Sequence, residues 1–162
     1  MNSSARIENI KSLICFFLIA FAVSGISGLI TAPSVTTWYQ TLSKPAHNPP
    51  DWVFAPVWTT LYVMIAISGW LVWQKLAAPK LATPQMRVYS ANLLANFLWS
   101  ILFFGLHNPL LAFIDINLML IFITANVFYF YKISKPASYL QIPYLLWVAY
   151  ATTLNGAIVW LN

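Results

Sequence analysis

One acidic side chain, Asp115, stands inside a long apolar run. An ionisable group at membrane depth is costly, so Asp115 is a functional candidate by default. It lies near the start of its segment, close to the membrane interface. Asn126 follows eleven positions on, roughly 20° away around a helix, and Met119 and Phe122 fall between them. The segment therefore carries one polar and aromatic stripe. A hydrogen bond between helices, worth about 0.6–2 kcal/mol, explains Asp115 equally well.

Asn92, Asn96 and Trp99 follow at i, i+4 and i+7, on one helix face, with Ser100 beside them. Two amides one turn apart exceed what helix association needs, and Asn96 is expected to line a cavity. Trp58, Tyr62 and Ile65 share a face, as do Tyr144, Trp147, Ala151 and Leu154, with Asn155 at the edge. Trp and Tyr normally collect at membrane interfaces, and Trp52, Trp73 and Trp160 fit that habit. Trp58 and Trp147 lie deeper. An indole at depth needs a partner for its N–H, so both are expected to face inward. Pro143 can open the backbone beside them. Indole, phenol and amide groups lining a bundle suit a flat, hydrophobic ligand with a few polar atoms.

Other chemistry finds little support. There is no Ser/His/Asp set, no metal-ligand spacing and no phosphate loop. His47 and His107 both fall in loops on one side, and are weak candidates for ligating haem iron or another metal. One intramembrane acid with few basic partners argues against a multi-site proton-coupled pump.

The composition dictates what must hold these groups. Of 162 residues, 60% are apolar, 17% aromatic and 7% charged, and the mean hydropathy is +0.74. A soluble domain carries about 25% charged residues. Eight basic and three acidic side chains cannot wet a globule of this size. A soluble enzyme, a disordered chain and a nucleic-acid binder are excluded, the last because the basic residues form no run or face. Spans of roughly 20 residues exhaust the apolar stock at about five. They are placed at about 13–32, 52–74, 88–106, 109–131 and 139–161, in one all-α domain over 1–162. The first follows Arg6 and Lys11, as a signal peptide would. It is read as a retained helix, because it is long and no clear cleavage site follows. Cys15, the only cysteine, is read as a lipid-facing or packed small residue.

Three connections are short: Lys75 to Arg87, with Pro79 and Pro84; His107-Asn108-Pro109; and Lys132 to Ser138. The long one, Pro33 to Asp51, carries Pro33, Pro45, Pro49 and Pro50 among Trp38, Tyr39, Lys44, His47 and Asn48. Its prolines oppose a regular helix, and its aromatics point to an ordered cap. Arg6, Lys11, Lys75, Lys80, Arg87, Lys132 and Lys135 fall on one side and only Lys44 on the other. The positive-inside rule puts the N-terminus inside and the first loop and C-terminus outside. Ala91 with Ala95 permits close helix approach, that of a second protomer included. Gly25 and Gly28 offer a similar face.

The stretch from Trp38 through Lys44-Pro45-Ala46-His47-Asn48-Pro49-Pro50-Asp51-Trp52 to Trp58 and Tyr62 resembles the signature of the tryptophan-rich sensory protein / translocator protein family (TspO/MBR, the peripheral-type benzodiazepine receptor family). Asn92-xxx-Asn96-xx-Trp99-Ser100 and Pro143-Tyr144-xx-Trp147 to Leu154-Asn155 resemble it too. The resemblance covers the whole chain.

It implies a five-transmembrane-helix bundle, usually a homodimer, with an intramembrane pocket capped by the first loop. Ligands of that family include porphyrins such as protoporphyrin IX, sterols and benzodiazepine-type drugs. Carried over by motif, the ligand-binding positions are Tyr39, Trp58, Asn96, Asp115 and Trp147, with Tyr62, Asn92, Trp99 and Tyr144 near them. No cofactor is required on this reading; porphyrin or haem enters as a ligand, and membrane lipid and a second copy are the other partners. The expected function is a membrane receptor or sensor for porphyrins that regulates tetrapyrrole handling or transport. A light-dependent porphyrin-degrading enzyme is the alternative, with Trp58, Trp147, Tyr39 and Asp115 as catalytic candidates. A transporter of sterol-like ligands is a third reading, weakened because no inverted repeat is visible. Two departures count. The Tyr and Arg of the animal cholesterol pattern are missing after Leu154-Asn155, which puts sterol affinity in doubt. His47 stands where relatives often have Trp. With no transit-like Arg- and Ser-rich stretch, a bacterial membrane is expected.

Overall fold

Prolines and small polar caps set where the helices start. Thr83 accepts a hydrogen bond from the Met86 N–H at 3.4 Å and Asn108 one from the Leu111 N–H at 3.0 Å. Each is followed by a proline, whose missing N–H costs nothing in a first turn. A computed structural model describes residues 3–77 and 80–162; Pro79 lies outside them. The helices are α1 (Ser3–Val35), α2 (Trp38–Thr41), α3 (Phe54–Trp73), α4 (Pro84–Ser100), α5 (Pro109–Tyr131) and α6 (Lys135–Leu161).

Five segments are long and apolar enough to cross a membrane: Arg6–Val35, Asp51–Trp73, Pro84–Gly105, Pro109–Tyr131 and Lys135–Leu161. The chain is thus an integral membrane protein of five spans. The first, third and fifth helices begin earlier than the apolar runs suggest. A helix satisfies its own backbone wherever it stops, so it continues from the hydrocarbon into the polar interface. The 33 residues of α1 extend about 50 Å at 1.5 Å per residue, against a core of about 30 Å.

Cross-helix bonds fix the register. Between α5 and α6, Ser138 Oγ donates to Val127 O at 2.8 Å near one end and Asn155 Nδ2 to Pro109 O at 2.8 Å near the other. At the end carrying seven of the eight basic residues, α1 is clamped to α3. Trp70 Nε1 donates to Asn9 O at 3.2 Å, Gln74 Nε2 to Ser12 Oγ at 2.9 Å, and Phe16 meets Trp73 edge-on. Ser68 ties α3 to α6 through Ala137 O and Gln141 at 2.7 and 2.9 Å. This basic end is solid.

Within the chain, close helix packing falls at other positions than the small-residue pairs suggest. A Cβ on Gly25 or Gly28 would meet nothing within 4 Å, whereas one on Gly69 would sit 2.6 Å from the Tyr89 ring and one on Gly156 3.0 Å from Phe113. Close approach therefore occurs at Gly69 and Gly156. Ala95 is covered inside the single chain, at 5% exposed, while Ala91 is half-buried.

At the opposite, cap end, the long connection is ordered but not wholly irregular. Despite its prolines it holds α2 and a 3-10 turn, Asp51–Val53. Here α1 is held by α4 rather than α3. Ser34 Oγ donates to Phe104 O at 2.8 Å and lies 3.2 Å from His107 Nε2. The last turn of that helix, Ile101–Gly105, widens to π geometry, with Leu106 N–H donating to Ile101 O at 2.7 Å. His107 then takes φ 51°, and its ring stacks on Trp38 at 4.3 Å.

Candidate intramembrane binding site

Where the basic end is filled, the cap end encloses a cavity of about 380 Å³. This lies within the 300–1,000 Å³ usual for small-molecule sites. Tyr39, Trp58, Tyr62, Asn96, Trp99 and Trp147 all line it. The helical faces read from the sequence thus converge on one space. Trp58 lies against Tyr62 and meets Tyr144 edge-on, at 5.8 and 6.2 Å between centroids. Trp147 contacts Phe54 and Tyr150.

The cavity floor is a chain of neutral hydrogen bonds. Tyr62 OH donates to Asn96 Oδ1 at 2.5 Å, and Asn96 Nδ2 donates to Tyr144 OH at 2.8 Å. Asn92 Nδ2 reaches the same Tyr144 oxygen at 3.4 Å. Tyr62 and Asn96 face the space, while Asn92 and Tyr144, both fully buried, stand behind and orient them. Asn92 and Tyr144, expected near the ligand-binding positions, stand one layer back from the lining: α4 turns Asn96 toward the cavity and leaves Asn92, a turn deeper, in the packed half. On the next wall Trp99 Nε1 donates to Asn155 Oδ1 at 3.1 Å, which presents Trp99 flat on Phe103.

Asp115, expected among the ligand-binding positions, stands off the cavity lining. It is buried, but the residues of α5 that line the cavity are Ile116 and Met119. One residue along a helix turns the side chain by 100°, and that step takes Asp115 off the cavity wall. Its Oδ2 finds no hydrogen-bond partner among the described residues. Asn126, expected on the same stripe, is fully buried away from the cavity, with neither amide atom paired. Trp147 faces inward as expected, yet its buried indole N–H has no partner among the described residues.

Tyr39 and Asp51 bring the long connection into the lining. Tyr39 is held by its hydroxyl, which donates to Asn48 Oδ1 at 3.0 Å, and by Lys44 over its ring at 4.5 Å. Burial pushes the phenol above its ordinary pKa; the bond to Asn48 opposes that, and the Asp51 carboxylate adds to it. Tyr39 therefore stays neutral in any ordinary buffer. Farther along, Tyr150 OH donates to His47 O at 2.6 Å, and the Asn162 side chain pairs with both backbone groups of Ser43.

Sequence reasoning missed a whole wall. Ser24, Ser27, Gly28, Thr31 and Ala32 of α1 line the cavity, as do Phe103 and Phe104 of the π turn. Ser24, Gly28 and Ala32 recur every fourth residue, a signal that reads as close packing and here means the reverse. Nothing in Ile101–Gly105 announces a π turn, although such turns gather at functional sites.

The comparisons with known proteins agree with this architecture. The TspO/MBR family matches residues 15–161. The chain is 40% identical over 154 residues to the tryptophan-rich protein TspO of Archaeoglobus fulgidus, covering 95% of this chain and 99% of that one. It is 40% identical to the tryptophan-rich protein TspO of Chlorobaculum tepidum, over 85% and 88% of the two chains. With the translocator protein of Homo sapiens it shares 37% identity, over 73% and 70%.

Proposed function

This chain belongs to the TspO/MBR family, and from that premise we propose that it is a membrane receptor for porphyrins of the protoporphyrin IX type, regulating tetrapyrrole handling or transport. The relatives named translocator protein and tryptophan-rich sensory protein support the transport or sensing part of this reading. The observation that carries the ligand class is the cavity itself. Trp58, Trp99 and Trp147 offer flat faces around one space, Tyr39 closes its top, and Tyr62 with Asn96 supplies its polar floor. Burial and stacking provide affinity for a planar macrocycle, and the floor orients it. Every hydrogen-bonding group of that floor is neutral, which suits a ligand whose buried part is uncharged, since an unpaired buried charge is expensive.

The basic end faces the inside and the loop end the outside on this reading, by the excess of Lys and Arg. The loop then caps the cavity from outside. The ligand-binding set is Tyr39, Trp58, Tyr62, Asn96, Trp99 and Trp147, with Asn92 and Tyr144 as positioning residues.

The test is a dark titration with protoporphyrin IX, following porphyrin absorbance and tryptophan fluorescence, beside a Trp58→Ala, Trp147→Ala double variant. Saturable binding lost in the variant supports the reading. Identical curves mean partitioning into detergent and sink it. Illumination of the bound sample then separates a receptor, which leaves the porphyrin intact, from a photoenzyme, which consumes it.

A further inference from the structure

We propose that the cavity fills sideways from the bilayer, through a slot between α1 and the start of α3, so that its ligands are molecules already dissolved in the membrane. This deepens the reading above, resting on a hydrophobic ligand in this cavity but not on that ligand being a porphyrin.

Exposure locates the slot. Among the lining residues only Gly28, Ala32, Asp51, Ala55 and Thr59 are exposed. All five belong to α1 or to the beginning of the second span. Every lining residue from α4, the π turn, α5 and α6 is buried or half-buried. The cavity is therefore walled on three sides and open on one.

The packing explains the opening. At the basic end α1 is bound to α3 through Asn9, Ser12 and Phe16. At the cap end its partner is Phe104 of the π turn, through Ser34. Held by different neighbours at its two ends, α1 leaves α3 as it rises. The side chains along the gap are small: Ser24, Gly28 and Ala32 on one edge, Ala55 and Thr59 on the other. A Cβ on Gly28 would still touch nothing within 4 Å.

The depth and chemistry of the slot suit lipid. Thr59 lies eight residues beyond Asp51, about 12 Å along a helix, so the slot occupies one half of a core about 30 Å thick. The Thr59 hydroxyl is turned back onto Ala55 O at 2.8 Å, so it does not offer its proton to the rim. The aqueous side is shut by comparison. Tyr150 to His47, Asn162 to Ser43, Tyr39 to Asn48 and Gln40 to Asp51 fasten the loop, each at 3.1 Å or less. A hydrophobic ligand is also most concentrated in the bilayer, where the slot opens.

Thiol labelling in lipid nanodiscs tests the route. Cys15→Ala removes the only native thiol, and Ala151→Cys places one on the α6 wall of the cavity. A flat apolar reagent, pyrene maleimide, is compared with a charged, water-soluble methanethiosulfonate, each normalised to its rate on the unfolded protein. The expected result is labelling at least tenfold faster by the apolar reagent. Gly28→Phe should slow it at least tenfold, and Thr59→Phe, on the other edge, should do the same should the first variant fold poorly. Tyr150→Phe, which loosens the loop, should leave the rate unchanged. Equal rates for the two reagents, or faster labelling in Tyr150→Phe with no effect of either Phe in the slot, would overturn the proposal in favour of entry from water. No porphyrin is used, so loss of the porphyrin reading and loss of the slot are separate results.

Discussion

Gly69 and Gly28 are the same residue, each on a membrane-spanning helix, and they serve opposite ends. Gly69 lies in the basic half, pressed by Tyr89 and Phe16 so closely that an added methyl would overlap both. Gly28 lies in the cap half, bordering empty space. One is small so that helices can touch, the other stands where they have parted. The bundle is thus half solid and half hollow: the solid half fixes the helices and the hollow half uses what they present.

Substitutions should separate the halves by size of effect. Gly69→Leu is expected to be the most damaging. The Tyr89 ring cannot retreat, since its hydroxyl donates to Ile65 O and its face lies on Phe130. Overpacking of this kind costs about 3 kcal/mol, read as a large fall in the unfolding midpoint in detergent. An unchanged midpoint would mean that the basic half is not solid.

Asn96→Leu comes next, because Asn96 sits where the halves meet. It would leave the Tyr62 and Tyr144 hydroxyls without their shared partner, at about 2 kcal/mol. The same variant should weaken porphyrin binding, whereas Gly69→Leu, where it folds, should not. Equal losses of binding in both would erase the division.

Tyr150→Phe removes the clasp on His47, worth about 1 kcal/mol. Hydrogen exchange should quicken in the backbone amides of residues 43–48 while the five spans stay protected. Gly28→Ala should be the mildest. With open space around it and a helix propensity better by up to about 1 kcal/mol, the midpoint should hold or rise slightly. A clear fall would show that α1 packs closely there after all.

The sequence made much of this legible. Five spans followed from the apolar stock, and the faces of Trp58 with Tyr62, of Asn96 with Trp99, and of Trp147 with Ala151 followed from helical periodicity. Periodicity says which residues share a face, but not what the face meets. Asp115 and Asn126 do share a stripe, yet the cavity meets α5 one residue beyond Asp115, at Ile116. Likewise Asn92 and Asn96 share a face that the edge of the cavity divides.

Local chemistry belongs to the sequence. Covalent geometry fixes 3.6 residues per turn, prolines and caps fix helix starts, and the scarcity of charge fixes the membrane as solvent. The separation of helices belongs to the tertiary structure alone. Ser24, Gly28 and Ala32 read the same whether a neighbour presses on them or has turned away. Only the clamps at the two ends of α1, made by residues distant in the chain, decide between a seam and a slot.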